Sequence, residues 1–271
     1  MQPALSVLRA EGLFDQLQDV NEPTSHFYFV DAGRMQTLRG INLQARYGEP
    51  YMTVRRGDLQ NALLRGLPGD APIYGSDVVG VQPVDPDVSD GLRLHVKFAD
   101  GSLSDDVFDA VVGADGIDSK LRAHVLHGAS CPQKESAVVN VIGVAPLKPL
   151  PPTLVQALKD RNGFAVYLDP AITLILSKVT PTKVMWGVVL NAELFPRSAG
   201  CAQGAPSLQE LLAEHVLRCN PPPSPFVASA LSACLLHTPS APDTDAPFLW
   251  RLRDIDALPT FVSGRVAIIG D

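Results

Sequence analysis

Nowhere in these 271 residues is there an apolar run of 18, a Lys/Arg run longer than Arg55-Arg56, or a C-x-x-C pair. The first absence excludes an apolar membrane-spanning helix, so no membrane partner is expected. The second, with 22 Lys and Arg against 29 Asp and Glu and a net charge of −7, removes the basic footprint that nucleic acid or anionic lipid requires. Cys131, Cys201, Cys219 and Cys234 are widely spaced, and the opening "MQPALSVLRAEGLFDQLQDV" is charged and lacks a signal peptide's apolar core. Reduced thiols and a cytoplasmic location are therefore expected. Two pairs, His124 with His127 and His215 with Cys219, have helical metal-ligand spacing, yet neither has a third ligand nearby in sequence. They read as incidental helix-face residues, and no metal is expected. A glycine fingerprint G-x-G-x-x-G followed by an acidic residue is also missing, which argues against a nicotinamide dehydrogenase.

What is present is apolar and patterned. With 46% hydrophobic and 19% charged residues the chain can bury a substantial core, and its length suggests two domains. Leu5, Leu8, Leu13, Phe14 and Leu17 predict a helix, or a helix and a turn, interrupted at Gly12. "HFYFV" and "MQTLRG" flank the turn "DAGR" as a hairpin would, and a helix is expected from near Arg56. "LRLHVKF" alternates Leu92, Leu94, Val96 and Phe98 with polar residues, as a half-wet strand does. "DAVVGAD" instead is apolar on both faces and predicts a strand covered on each side. After about residue 130, proline-rich connections separate β-rich runs. Ser207 to Glu210 forms a capping box, and Ser224-Pro225 opens a further helix. The expected division is 1–128, 129–247 and a return over 248–271.

Three short stretches carry candidate chemistry. "RRGDL" places Arg56 at a helix start, where a guanidinium can bind phosphate or ribityl oxygens or simply lie exposed. "VVGADGIDSKLR" ends a strand in small residues, so a ligand can approach the backbone. There Asp115 can accept hydroxyl bonds or merely form the turn with Gly116, and Arg122 can anchor the helix onto the strand. "VAIIGD" ends a strand in Gly270-Asp271, at the carboxyl edge where open α/β sheets bind ligands.

R-x-x-L at Arg56–Leu59, D-G-x-x-S-x-x-R at Asp115–Arg122 and G-D at Gly270-Asp271, in this order, resemble the group A FAD-dependent monooxygenases. These are the aromatic hydroxylases related to para-hydroxybenzoate and salicylate hydroxylases. The resemblance implies an α/β fold: a partial FAD-binding, Rossmann-like parallel sheet with a second, mostly antiparallel β-sheet domain for substrate. It implies FAD as cofactor, NAD(P)H as reductant, and O₂-dependent hydroxylation of a small aromatic or polyketide-like molecule. Arg56, Asp115 and Asp271 would hold the flavin, with Gly116 and Gly270 admitting it to the backbone. No side chain need be a nucleophile or general base, so no catalytic residue is assigned. Tyr167 is expected to be a packed strand residue rather than a substrate contact.

Two departures accompany the resemblance. The family's G-x-G-x-x-G unit before the first helix and the helix start after G-D have no counterpart here. The expectation is a chain truncated at both ends, marginally stable alone. The alternative is a non-catalytic remnant, or a subunit complementing another polypeptide.

Overall fold

The computed structural model describes residues 2–20, 22–48, 51–67, 72–84, 91–194, 207–240 and 243–270. The chain forms two compact units, Met1–Gly69 with Ala137–Leu252, and Asp70–Ser136 with Arg253–Asp271.

The first unit is built on a seven-stranded sheet. Its strands lie in the order Phe248–Asp254, Lys134–Pro146, Lys183–Asn191, Thr173–Thr180, Gly163–Leu168, His26–Asp31 and Gln36–Asn42. Gly163–Leu168 runs antiparallel to Thr173–Thr180 and parallel to His26–Asp31. The hairpin of residues 26–42, placed by the sequence boundaries within 1–128, is thus hydrogen-bonded into the sheet of the later residues.

Strict alternation explains how this sheet is sealed on one face. Val139, Val141, Leu174, Leu176, Val184 and Val188 point to one side and are buried. Against them pack Leu154 and Leu158 of the helix Pro152–Asp160, Leu212 of Leu208–Arg218, and Leu231 of Pro225–His237. Each such fully buried side chain contributes about 1.5–3 kcal/mol before the cost of ordering it. Leu208–Arg218 carries the expected capping box, Ser207 and Glu210 each satisfying the other's backbone N–H. Pro225 occupies the first turn of its helix. A smaller cluster in this unit joins Leu5 and Leu8 of the helix Gln2–Ala10 to Leu17, Met52 and Ala62. Gly12, at φ 67°, makes the turn there.

The second unit pairs two small sheets. Ser76–Pro83, Leu92–Phe98 and Leu103–Phe108 form an antiparallel meander. Val262–Ser263, Val266–Ile268 and Val111–Gly113 form the other, in which Val266–Ile268 and Val111–Gly113 are parallel. Val81, Leu92, Val111, Val266 and Ile268 bury against Leu121 and Val125 of the short helix Leu121–Val125. Among the described residues, only one face of the parallel pair is covered. Val112, expected to be buried, is 62% exposed, and Val262 on the same face is 55% exposed. The apolar sequence on both faces of "DAVVG" therefore does not correspond to two covered faces among the described residues, because the helix that follows packs on the Val111 and Gly113 side alone.

Candidate functional site

In the second unit the two parallel strands end side by side at Gly113 and Ile268. Beyond those ends lies a cavity of about 150 Å³ whose lining includes Asp115, Gly116, Arg122, Leu258, Phe261 and Gly270. Two strands brought into parallel register deliver two separate turns to one place, an effect of pairing that neither turn specifies locally.

Two glycines, Gly116 and Gly270, line the cavity, and a third, Gly113, ends the strand beside it. A Cβ at Gly113 would come within 2.8 Å of Leu121 Cδ1, 3.1 Å of Asp115 Oδ1 and 3.2 Å of Ile268 Cγ2, so the close packing of strand on helix requires glycine there. Gly116 and Gly270 have φ of 68° and 83°, and a Cβ at either would meet nothing within 4 Å. Their backbone is bare toward open space, which suits a ligand lying against the main chain.

The carboxylate of Asp115 serves the fold as well as the cavity. Its Oδ2 accepts from the N–H of Lys120 at 2.8 Å and of Leu121 at 3.4 Å, capping the helix that follows. Burial alone would raise its pKa, but the Ser119 hydroxyl and these backbone N–H groups outweigh burial, and the net shift is downward. Asp115 is therefore a fixed anion able to accept further hydroxyl bonds.

Arg122 differs from the sequence expectation in what it holds. The residue is only 6% exposed, and its guanidinium donates from Nη1 to Ile117 O at 2.8 Å and from Nη2 to Gly116 O at 2.7 Å, anchoring the turn rather than the strand. Those carbonyls belong to the 3₁₀ turn Gly116–Asp118; Gly116 O also accepts from the N–H of Ser119 at 3.0 Å and Ile117 O from Gln133 Nε2 at 2.9 Å, so the arginine adds a second bond to each. Nε is buried without a hydrogen-bond partner, and no ion pair to a carboxylate forms among the described residues. The cavity wall thus contains a positive charge with spare donor capacity.

Asp118 points elsewhere. It takes a bidentate bond from Arg253, 2.8 Å to each oxygen, and a third from Gln133 at 2.8 Å. Arg253 first and Gln133 second hold its pKa down to about 2. A depressed folded-state pKa stabilises above the unfolded value of 3.8 and ceases to do so as pH falls through about 2. Thermal melts of wild type and Asp118→Asn are therefore expected to differ at pH 5 and to converge as the pH approaches 2. A gap that is constant with pH would contradict this.

The other expected site residues fall as follows. Arg56 begins the helix Arg56–Arg65 in the first unit; its side chain is exposed and has no partner among the described residues. Its neighbour Arg55 instead grips Asp58 at 2.6 Å and the buried Asp245 at 3.3 Å, where Lys183 also binds. Asp271 lies outside the described residues. The structure therefore brings Asp115, Gly116 and Gly270 together, whereas Arg56 belongs to the other unit. Tyr167 is fully buried on the helix-covered side of the large sheet, its ring 4.8 Å from that of Phe226. His215 Nε2 and Cys219 Sγ lie 3.6 Å apart, with burial lowering the pKa of the former and raising that of the latter.

No family model matches the chain. It is 32% identical over 140 residues to a 6-hydroxynicotinate 3-monooxygenase of Bordetella bronchiseptica, covering 50% of this chain and 34% of that protein. It is 28% identical over 244 residues to a salicylate hydroxylase of Pseudomonas putida, covering 83% and 49% respectively. The chain thus spans about a third to a half of the length of these relatives. Its fold matches that of Klebsiella pneumoniae HpxO, solved with FAD and uric acid, with a TM-score of 0.73 over 99% of this chain and 61% of the other at 20% identity. A salicylate hydroxylase substrate complex aligns with a TM-score of 0.67 over 98% and 63%. The chain is similar in sequence to aromatic monooxygenases over part of their length and has the fold of FAD-dependent monooxygenases of known structure.

Proposed function

We propose that this chain is the FAD-binding and substrate-binding part of a monooxygenase that hydroxylates a small aromatic molecule with NAD(P)H and O₂. The carrying observation is the cavity beyond the paired strand ends, where Asp115, Gly116, Gly270 and the buried Arg122 meet. The residues suit the cofactor: a carboxylate for a polyol, two bare glycine backbones for close approach, and an incompletely bonded cation for a phosphate group.

In this reading Asp115 accepts from ribityl or ribose hydroxyls, Gly116 and Gly270 admit the cofactor to the main chain, and Arg122 balances its negative charge. Bound FAD would supply the redox and oxygen chemistry, and the protein's part is to orient the aromatic ring and exclude water. No proton is assigned to a side chain.

Titration of the purified chain with FAD, followed by quenching of flavin fluorescence, tests the reading. Saturable binding is expected, weakened at least about tenfold by Asp115→Ala and by Gly270→Val, because a lost charge-assisted bond costs about 1.5–3 kcal/mol. Failure of the folded wild-type chain to bind, or binding indifferent to both substitutions, would refute it.

One observation favours a second reading, an interaction module that complements another polypeptide. The Val112 and Val262 face of the small parallel sheet is apolar and exposed. Retention of FAD by the chain alone decides for the first reading.

A further inference from the structure

The cavity beyond the paired strand ends has one wall that is held differently from the rest. Ile255, Asp256, Ala257, Leu258 and Phe261, from the connection between the strands Phe248–Asp254 and Val262–Ser263, line it on one side. Residues 255–260 make no backbone–backbone hydrogen bond among the described residues, and none of residues 253–261 is buried. A main chain left to solvent, with few buried contacts, opens at low cost. The facing wall is the reverse. It is held by the buried Arg122, which bonds two carbonyls of its turn, and by the Asp115 carboxylate, which caps the following helix.

The segment is fixed at both ends. Arg253 ties the end of its strand to Asp118 by two bonds of 2.8 Å and to Gln133 by a third. Thr260 Oγ1 donates to Val262 O at 2.8 Å and accepts from the Val262 N–H at 3.1 Å, which pins the other end. Between these points only two side-chain contacts hold it among the described residues. Leu258 packs, half-buried, against the apolar cluster of Val111, Leu121 and Ile268, and Asp256 pairs with Lys134, which lies outside the cavity lining. That ion pair is 59% and 71% exposed, so it is weak and screened by salt. The cavity, about 150 Å³, is smaller than the roughly 300–1,000 Å³ of small-molecule sites. A ligand of cofactor size therefore needs a wall that yields, and this segment is the wall with least to hold it.

We propose that residues 255–260 form a strap that opens and closes this cavity between the fixed points Arg253 and Thr260, with the Lys134–Asp256 pair as the latch that sets how often it opens. An exposed pair shifts the balance of open and closed forms only a few-fold, which tunes entry without locking the site. The identity of the ligand as FAD rests on the monooxygenase reading; the motion belongs to the second unit alone.

Leu258→Cys provides a reporter, because the position reaches solvent fully only when the strap lifts. Its labelling by iodoacetamide, without flavin and located by peptide mass spectrometry, is expected to run about twofold to fivefold faster when Lys134→Met is added, the range of one exposed ion pair. The two rates should converge near about 1 M salt, where the pair is screened, and Lys134→Arg should restore the slower rate. Labelling of Cys219, in the other unit, is the internal reference. Ile255→Cys is the second reporter should Leu258→Cys fail to fold. With FAD, Lys134→Met should raise the association and dissociation rates by the same factor and leave the affinity unchanged, whereas a residue that merely contributes to binding would change the affinity. Labelling indifferent to Lys134, FAD rates unchanged despite faster labelling, or a loss of affinity in place of faster exchange overturns the proposal. The labelling contains no flavin, so it decides for or against the strap even where the FAD titration fails.

Discussion

Replacing Trp186 with alanine is expected to destabilise the first unit by about 3–5 kcal/mol, the usual cost of emptying a buried indole site. Trp186 is fully buried, and its Nε1 donates to Thr238 Oγ1 at 2.8 Å, whose hydroxyl in turn donates to Cys234 O at 2.7 Å. The substitution thus opens a cavity and leaves the Thr238 hydroxyl without its donor. Directly across the ladder sits Gly143, where a Cβ would come within 2.7 to 2.9 Å of three indole atoms. Gly143→Ala should therefore cost about 1–3 kcal/mol by overpacking, and the pair Gly143→Ala with Trp186→Phe should cost less than the sum of the single changes. Urea unfolding monitored by far-UV circular dichroism measures all three. Additive effects would show that glycine and indole do not constrain each other. Against a total stability of about 5–15 kcal/mol, loss of the indole alone can unfold the unit.

The second large effect is expected at Arg122. Arg122→Leu removes two charge-assisted bonds to Gly116 O and Ile117 O, each worth about 1.5–3 kcal/mol. Part of that loss is offset because a buried guanidinium without a carboxylate partner is itself costly. The net expectation is a destabilisation of about 1–3 kcal/mol, with faster amide exchange concentrated in residues 113–126. Arg122→Lys keeps the charge but cannot bridge two carbonyls, so it should recover FAD affinity better than turn rigidity. Equal loss of both in the lysine variant would mean that Arg122 contributes to the cofactor only by holding the turn.

How much of this was legible in the sequence depends on the range of the interaction. The helix at Arg56–Arg65, the capping box at Ser207 and Glu210, the Pro225 helix start and the hairpin around "DAGR" rest on contacts within four or five residues, and each forms as expected. The covering of "DAVVG" was not legible, because an apolar residue shows what it can pack against but not whether something packs there; Val112 is exposed. Nor was the partner of Arg122. A basic residue seven positions after an aspartate can point back to a strand or to a turn, and the folded backbone, which brings the carbonyls of Gly116 and Ile117 to the guanidinium, decided it.

Residue order alone determined the local elements, the family likeness carried by three spaced motifs, and the composition of the candidate site, because these follow from near-neighbour chemistry. Only the tertiary structure decided that the Asp115 turn and Gly270 share a cavity and that the residue 26–42 hairpin joins the large sheet. It also decided which face of each sheet stays open. Those outcomes depend on which distant strands pair, and pairing is settled by the burial of whole faces rather than by any short stretch of chain.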